Sequence, residues 1–199
     1  MSEAWAWISG WGVAPERFHA AVCAALPGRE HLVVPPTETA VTAVLNSGAM
    51  HVAGYSLGSL LLMCAADRIP AGVSVHCLAP IVAFCEGAEC GGLTPASGVD
   101  MLAKRMEQSP SKALKLFYRL AGLNDEPSEV LPYAVDELQW GLSALRDLQA
   151  DLSLLRGVRA VIGSRDPLLD SGVLRHYFDG STELDVGHGY VDLLEGMRR

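Results

Sequence analysis

Long apolar runs and an excess of basic residues are missing from this 199-residue sequence, and we expect no targeting signal in it. No apolar run reaches the roughly 20 residues that a membrane-spanning helix needs. The first residues lack the basic region of a signal peptide. Lysine and arginine number 15 against 23 acidic residues, for a net charge of −8, which argues against nucleic acid as the main partner. We therefore expect a cytoplasmic protein that binds neither membrane nor nucleic acid.

Motifs for metals and cofactors are missing as well. The five cysteines include no C-x-x-C pair, and an odd, unpatterned set indicates reduced thiols. Cys85 and Cys90 could pair or bind a metal, but no second cluster accompanies them. Neither glycine-rich phosphate-binding motif, G-x-x-x-x-G-K-[ST] or G-x-G-x-x-G, occurs, and no residues have metal-ligand spacing. We expect no cofactor and no metal.

The composition is typical of one globular domain. Half of the residues are hydrophobic and 19% are charged, and the length suits a single core spanning residues 1–199. Short apolar segments alternate with helical patterns, which predicts an α/β fold: a mostly parallel sheet of about six strands with helices on both faces. The predicted strands cover residues 4–8, 31–34, 50–53, 73–79, 158–162 and 181–186.

The segment Gly54-Tyr55-Ser56-Leu57-Gly58 has the G-x-S-x-G pattern between an apolar strand and a leucine-rich helix. This is the context of a nucleophile elbow, a sharp turn that presents a serine hydroxyl at the edge of a sheet. Side chains in place of Gly54 or Gly58 would collide with the neighbouring strand and helix. The alternative is an ordinary strand–helix turn with a capping serine.

Ser56, Asp166 and His188 follow one another in the order nucleophile, acid, base. Each comes just after a predicted strand, so all three should meet at the carboxyl edge of the sheet. A serine hydroxyl needs a base within hydrogen-bond reach, and that base needs a partner that fixes its tautomer. We therefore predict a catalytic triad, with Asp170 and Asp185 as rival candidates for the acid.

A glycine-rich loop, Ser9-Gly10-Trp11-Gly12-Val13, follows the first predicted strand. In serine hydrolases such a loop supplies one oxyanion donor, and the residue after the nucleophile supplies the other. We therefore predict that the backbone N–H groups of Trp11 and Leu57 form an oxyanion hole. The alternative is a plain glycine turn between a strand and a helix.

No strand pattern occurs between residues 82 and 143. Residues 101–120 have one long helical pattern, and residues 129–148 predict one or two further helices. We expect this helical insertion to form a lid over the triad, with Leu114, Phe117 and Leu120 turned inward over Ser56. The alternative is a set of ordinary crossover helices packed on the sheet.

One stretch of this acidic chain is basic. Between residues 104 and 119 the only acid is Glu107. A basic patch on the lid is suited to docking an acidic partner, and the alternative is a solvated helix face. The basic residues are Lys104, Arg105, Lys112, Lys115 and Arg119.

Three of these segments resemble the α/β-hydrolase superfamily, and more narrowly the carboxylesterases of biotin synthesis that hydrolyse pimeloyl-acyl carrier protein methyl ester. They are residues 9–13, where that family has His-Gly-Trp-Gly and this chain has Ser9 first, residues 54–58, and residues 141–166. The resemblance implies Ser56 as nucleophile, His188 as base and Asp166 as its acid, with the oxyanion hole at Trp11 and Leu57. It also implies that the basic lid residues grip an acidic acyl carrier protein.

The expected function is that of a serine carboxylesterase acting on pimeloyl-acyl carrier protein methyl ester. A thioesterase or a general short-chain esterase would use the same triad. A non-catalytic binding protein of the same fold is the alternative from another class, and the presence of all three triad residues disfavours it.

Overall fold

A computed structural model describes residues 4–87, 89–124, 127, 130–155 and 157–198. Within these residues the chain forms six strands and eight α-helices, with short 3₁₀ turns between some of them. In chain order the elements are β1 (Ala4–Ile8), α1 (Pro15–Ala25), β2 (Glu30–Val34), α2 (Ala40–Leu45), β3 (His51–Tyr55), α3 (Leu57–Cys64), β4 (Ser74–Leu78), α4 (Ala96–Gln108), α5 (Pro110–Leu120), α6 (Val135–Asp147), β5 (Arg159–Gly163), α7 (Ser171–Tyr177), β6 (Thr182–Leu184) and α8 (Tyr190–Leu194).

The strands form a single sheet in the order β2-β1-β3-β4-β5-β6, and every neighbouring pair is parallel. The predicted α/β fold with about six strands is confirmed, and among the described strands the sheet is entirely rather than mostly parallel. Both faces of a parallel sheet are covered, which is why the strands read as nearly continuous apolar runs. All the carboxyl ends lie along one edge of the sheet, and all the amino ends lie along the other.

Different helices cover the two faces of the sheet. Phe18 of α1 stacks on Tyr55 of β3, and Tyr190 of α8 packs against both rings. The neighbouring residue Gly54 points to the opposite face because successive strand residues alternate. There its backbone lies against Gly58 at the start of α3. Helices α1 and α8 therefore share one face, and α3 lies on the other.

The connection between β4 and β5 carries helices α4, α5 and α6, and α4 packs against both α5 and α6. The single helix predicted over residues 101–120 is wrong, because the chain breaks at Ser109, whose φ is −161°. Pro110 has no N–H to donate and holds the preceding residue in an extended conformation, so one helix ends and a second begins with the proline in its first turn. That the predicted insertion, residues 82–143, acts as a lid stays a prediction.

The described helices are short. The longest of them have 13 residues, and none in the described part of the chain has the length and apolarity to cross a membrane. All five cysteines are free thiols.

Candidate active site at the carboxyl edge of the sheet

Ser56 lies on the sharp turn between β3 and α3. Its φ is +54°, a backbone conformation that costs a residue other than glycine about 1–3 kcal/mol. Two hydrogen bonds hold the turn: the Ser56 N–H donates to the Leu78 carbonyl (3.0 Å), and the Ser59 hydroxyl donates to the Ser56 carbonyl (2.6 Å). A side chain on Gly54 or Gly58 would overlap backbone atoms, so the predicted reason for both glycines is confirmed.

Ser56, His188 and Asp166 form a continuous hydrogen-bonded chain. The Ser56 Oγ lies 2.9 Å from His188 Nε2, and His188 Nδ1 lies 2.6 Å from Asp166 Oδ2. The other carboxylate oxygen of Asp166 accepts the Leu168 N–H at 2.9 Å, which holds the carboxylate in place. A carboxylate beside Nδ1 keeps the proton on that nitrogen, so Nε2 presents its lone pair to the serine hydroxyl. The structure thus brings together the three residues predicted from the sequence.

The two rival acids have other contacts. Asp170 is the N-terminal cap of α7 and accepts the Val173 N–H at 3.1 Å. Asp185 is exposed and forms an ion pair with Arg165 at 2.9 Å. Only Asp166, among these three carboxylates, contacts the imidazole of His188.

The hydrogen-bonded chain is closed off from solvent. Ser56 is 3% exposed and His188 is 1% exposed. Exclusion of water strengthens the hydrogen bonds and charges in such a site.

The glycine-rich loop after β1 lies directly beside Ser56. A Cβ added to Gly10 would lie 3.4 Å from the Ser56 Cβ. Within the described turns, loops and caps, the N–H groups of Trp11 and Leu57 have no backbone acceptor. That these two N–H groups bind an oxyanion at Ser56 remains a prediction.

Two tyrosines of the insertion hold this loop through Gly12. The Gly12 N–H donates to the Tyr133 hydroxyl at 2.7 Å, and the Tyr118 hydroxyl donates to the Gly12 carbonyl at 3.0 Å. Burial raises the pKa of Tyr133 well above its ordinary value, so this hydroxyl stays neutral. The indole N–H of Trp11 donates in turn to the Leu138 carbonyl of α6 at 2.8 Å. The loop that presents the Trp11 amide is thus fixed from the insertion.

Replacing Tyr133 by phenylalanine is expected to lower the kcat of ester hydrolysis about tenfold with little change in KM. The substitution removes the acceptor of the Gly12 N–H, and an unpaired buried N–H costs about 1–3 kcal/mol, so the loop should relax away from its position. Steady-state kinetics on an activated ester measures the effect. Tyr177→Phe is the matched control because it removes a hydroxyl that donates to the Glu89 carbonyl (2.9 Å). An unchanged kcat in Tyr133→Phe would contradict the positioning role.

The residue before the nucleophile also has a structural task that sequence reasoning missed. The Tyr55 hydroxyl donates to the His188 carbonyl at 2.9 Å, and burial raises the pKa of this phenol well above its ordinary value. At the carboxyl end of β5, Gly163 lies so close to Gly187 that a Cβ on Gly163 would overlap the carbonyl oxygen of Gly187. These contacts hold the histidine loop against the elbow. The motif signals Ser56, but nothing in it indicates what Tyr55 contacts.

An apolar cavity of about 310 Å³ lies between the helices of the insertion. Its wall includes Phe117, whose ring packs edge-on against Trp11 at 4.7 Å, and Pro167 and Leu168, which directly follow Asp166. The cavity therefore lies next to the glycine-rich loop that holds Trp11 and next to the segment that holds Asp166.

Exposed apolar side chains line the same cavity toward solvent. They are Leu93, Met101 and Leu120. Leu114 and Phe117 are buried, as expected, but the prediction that Leu120 turns inward is wrong because this side chain is 53% exposed. The helix break at Ser109 and the end of α5 at Leu120 leave it at the rim of the cavity.

The basic residues predicted as a docking surface are all exposed, and they lie on two helices. Lys104 and Arg105 belong to α4, and Lys112, Lys115 and Arg119 belong to α5. The spacing of the three α5 residues puts them on one side of that helix. In the part of the chain that the structure describes, none of the five forms an ion pair.

Several solved structures are similar to this one. An esterase from Exiguobacterium antarcticum is 15% identical with a TM-score of 0.70, covering 94% of this chain and 85% of its own. A hydrolase from Pseudomonas aeruginosa PA01 is 15% identical with a TM-score of 0.68, covering 94% and 83%. BioG from Haemophilus influenzae is 16% identical with a TM-score of 0.58, covering 94% and 89%.

Neither a protein-family model nor a curated protein sequence matches the chain. At identities this low, similarity of structure establishes the fold. The chain therefore has the α/β-hydrolase fold, with a serine, a histidine and an aspartate hydrogen-bonded in series at the carboxyl edge of its sheet.

Proposed function

We propose that this protein is a serine hydrolase that cleaves carboxylic esters. The observation that carries the proposal is the chain of hydrogen bonds from the Ser56 hydroxyl through His188 to Asp166, at 2.9 and 2.6 Å. The strained elbow supports it, because a backbone held at positive φ is typical of functional sites. The closed, water-excluded environment supports it too.

The reaction proceeds in two halves. His188 Nε2 takes the hydroxyl proton as Ser56 Oγ attacks the ester carbonyl, and Asp166 stabilises the resulting imidazolium. The N–H groups of Trp11 and Leu57 bind the oxyanion of the tetrahedral intermediate. His188 then donates the proton to the departing alkoxide, which leaves an acyl group on Ser56. Water, activated by the same imidazole, attacks that acyl group and restores the free serine.

An activated p-nitrophenyl ester tests this function. Acylation releases p-nitrophenol before the slower attack of water, so the expected result is a burst of chromophore followed by a steady rate. A protein that only binds esters would release none. The amplitude of the burst also counts the working sites.

For the substrate, we propose the methyl ester of a pimeloyl chain carried on acyl carrier protein. The apolar cavity between the helices of the insertion suits the methylene chain. Its wall includes Phe117, whose ring packs on Trp11, and the two residues that follow Asp166, and its exposed side includes Leu120. Arg119, next to Leu120, belongs to the basic side of α5. An acidic carrier docked there would place its acyl chain at the mouth of the cavity.

Reversing the charge of Lys112, Lys115 and Arg119 to glutamate is expected to raise the KM for a carrier-bound ester about tenfold or more. Exposed ion pairs contribute only about 0–1 kcal/mol each, so the three changes are needed together. Added salt should raise the KM of the wild-type enzyme for the carrier-bound ester in the same way. Hydrolysis of a small free ester should barely change. Steady-state kinetics on both substrates measures the effect.

A second triple variant controls for net charge. Changing Arg17, Arg68 and Arg175 to glutamate alters the charge by the same amount away from α5 and should leave the KM for the carrier-bound ester unchanged. Equal losses on both substrates in the α5 variant would indicate a damaged insertion. No loss on either substrate would contradict the docking proposal and favour a free small ester as the substrate. The proposed catalytic role of Ser56, His188 and Asp166 would not be affected.

A further inference from the structure

The amino edge of the sheet, opposite the triad, has a cleft of its own. Its volume is about 450 Å³. The polar and aromatic side chains that line it are Trp5, Arg29, His51, His76, Arg159 and Thr182. No acidic residue is among its described lining residues, although the chain as a whole has a net charge of −8. The cleft is therefore locally basic on a chain that is acidic overall.

The register of the sheet brings these groups together. Trp5 of β1 is paired with His51 of β3, and His76 of β4 is paired with Arg159 of β5. His51 is paired with Ser74, two residues before His76, and residues two apart on a strand share a face. The four side chains thus stand in a row across four adjacent strands.

Direct contacts hold the row in position. The Trp5 ring stacks on His51 with centroids 4.5 Å apart and planes 9° apart, and the Arg29 guanidinium lies 5.4 Å from the same indole. His51 Nδ1 and His76 Nε2 are 3.4 Å apart. The Trp5 side chain is 4% exposed, and its buried indole N–H has no hydrogen-bond partner. Arg159 forms no ion pair within the described residues.

The charge of the cleft selects the kind of ligand. Burial, and then the positive charges of His51, Arg159 and Arg29, lower the pKa of His76 to about 4. A metal cation would meet the same repulsion from two guanidinium groups. A bound anion would offset these positive charges, because it pairs with Arg159 and stabilises the protonated form of His76.

We propose that this cleft binds a phosphate group, at a site separate from the triad. Guanidinium groups match the oxygens of a phosphate in pairs, and imidazole N–H groups donate single hydrogen bonds to it. The cleft is large enough to take a small organic phosphate as well as the free ion. The site does not depend on ester hydrolysis, so it stands or falls independently of the proposed function.

Calorimetric titration with inorganic phosphate, at an ionic strength held constant with chloride, tests the site. Wild-type protein and Ser56→Ala should bind phosphate equally. Arg159→Gln should weaken binding about tenfold or more, since it removes a charge-assisted pair. Arg175→Gln is the matched control, because it removes an exposed arginine that pairs with Glu183 elsewhere. Absence of binding to the wild-type protein, or equal weakening by both arginine variants, would overturn the proposal.

The pH dependence supplies a second readout. Sulfate stays a dianion over the range used, so any change in its affinity comes from the protein. His76 binds a proton poorly in the free cleft, facing His51, Arg159 and Arg29. A bound dianion should raise its pKa, so affinity should increase from about pH 8 to about pH 6 with uptake of a proton. An affinity independent of pH would count against His76 as a ligand.

Binding of glycerol 3-phosphate distinguishes an organic phosphate from the free phosphate ion as the ligand of the cleft. Tighter binding than inorganic phosphate indicates a phosphorylated metabolite, and equal binding indicates the free ion. If neither binds above the Arg159→Gln background, the cleft is not a phosphate site.

Discussion

Ser56→Ala is expected to abolish the burst of p-nitrophenol and to lower kcat on the order of 10⁴–10⁶-fold. The substitution removes the oxygen that lies 2.9 Å from His188 Nε2, and no other hydroxyl takes its place at the elbow. The Ser59 hydroxyl is committed elsewhere, since it donates to the Ser56 carbonyl and accepts the Ile81 N–H. Stopped-flow and steady-state assays on an activated ester measure the loss.

The fold should survive this substitution, because alanine keeps the Cβ and the backbone bonds of the turn. Circular dichroism and thermal unfolding of Ser56→Ala should therefore match the wild-type protein closely. Ser143 lies on the exposed side of α6, and Ser143→Ala should retain full activity. That result would show that removing a serine hydroxyl away from the site does not lower the activity. A variant lacking the Ser56 hydroxyl that kept most of its activity would show that another group is the nucleophile.

Asp166→Asn is expected to lower kcat about 10⁴-fold while leaving the geometry of the site nearly intact. Asp166 Oδ2 now accepts the proton of His188 Nδ1 at 2.6 Å. An amide nitrogen at that position would instead donate to Nδ1 and favour the tautomer protonated on Nε2. That nitrogen could then no longer accept the proton of Ser56. The pH profile of kcat, measured beside its magnitude, reports the change of tautomer.

The rival carboxylates provide the controls. Asp170→Asn should cost some stability, since this side chain caps α7, and should leave kcat nearly unchanged. Asp185→Asn should change little, because its ion pair with Arg165 is exposed. If Asp170→Asn or Asp185→Asn lost activity as severely as Asp166→Asn, the assignment of the acid would be wrong.

The arrangement of Ser56, Asp166 and His188 could be predicted because each step depends on local pattern and topology. The glycines at 54 and 58 signal a turn that only small residues permit, and the structure shows both lying against backbone. Parallel strands end at one edge, so residues that directly follow β3, β5 and β6 must come near one another. The break at Ser109 was also encoded locally, in Pro110, and the prediction of one long helix over residues 101–120 overlooked it.

Contacts between distant segments could not be predicted in this way. The bond from Gly12 to Tyr133 spans 121 residues, and the bond from Tyr55 to His188 spans 133. Neither tyrosine is marked by a motif, because a hydroxyl that meets a backbone group needs only the right distance. Such distances follow from how the insertion packs on the loop, which a one-dimensional pattern does not specify.

By itself, the sequence determined the parallel sheet, the elbow and the identity of the three residues that meet at its carboxyl edge, because steric limits and strand order act along the chain. Tertiary structure alone decided how the glycine-rich loop after β1 is held and which side chains share the amino edge. His51 and His76 lie 25 residues apart, and no motif marks either of them. Pairing of β3 with β4 puts them side by side next to Arg159. Register depends on packing across the whole sheet, so no local pattern could have revealed that cleft.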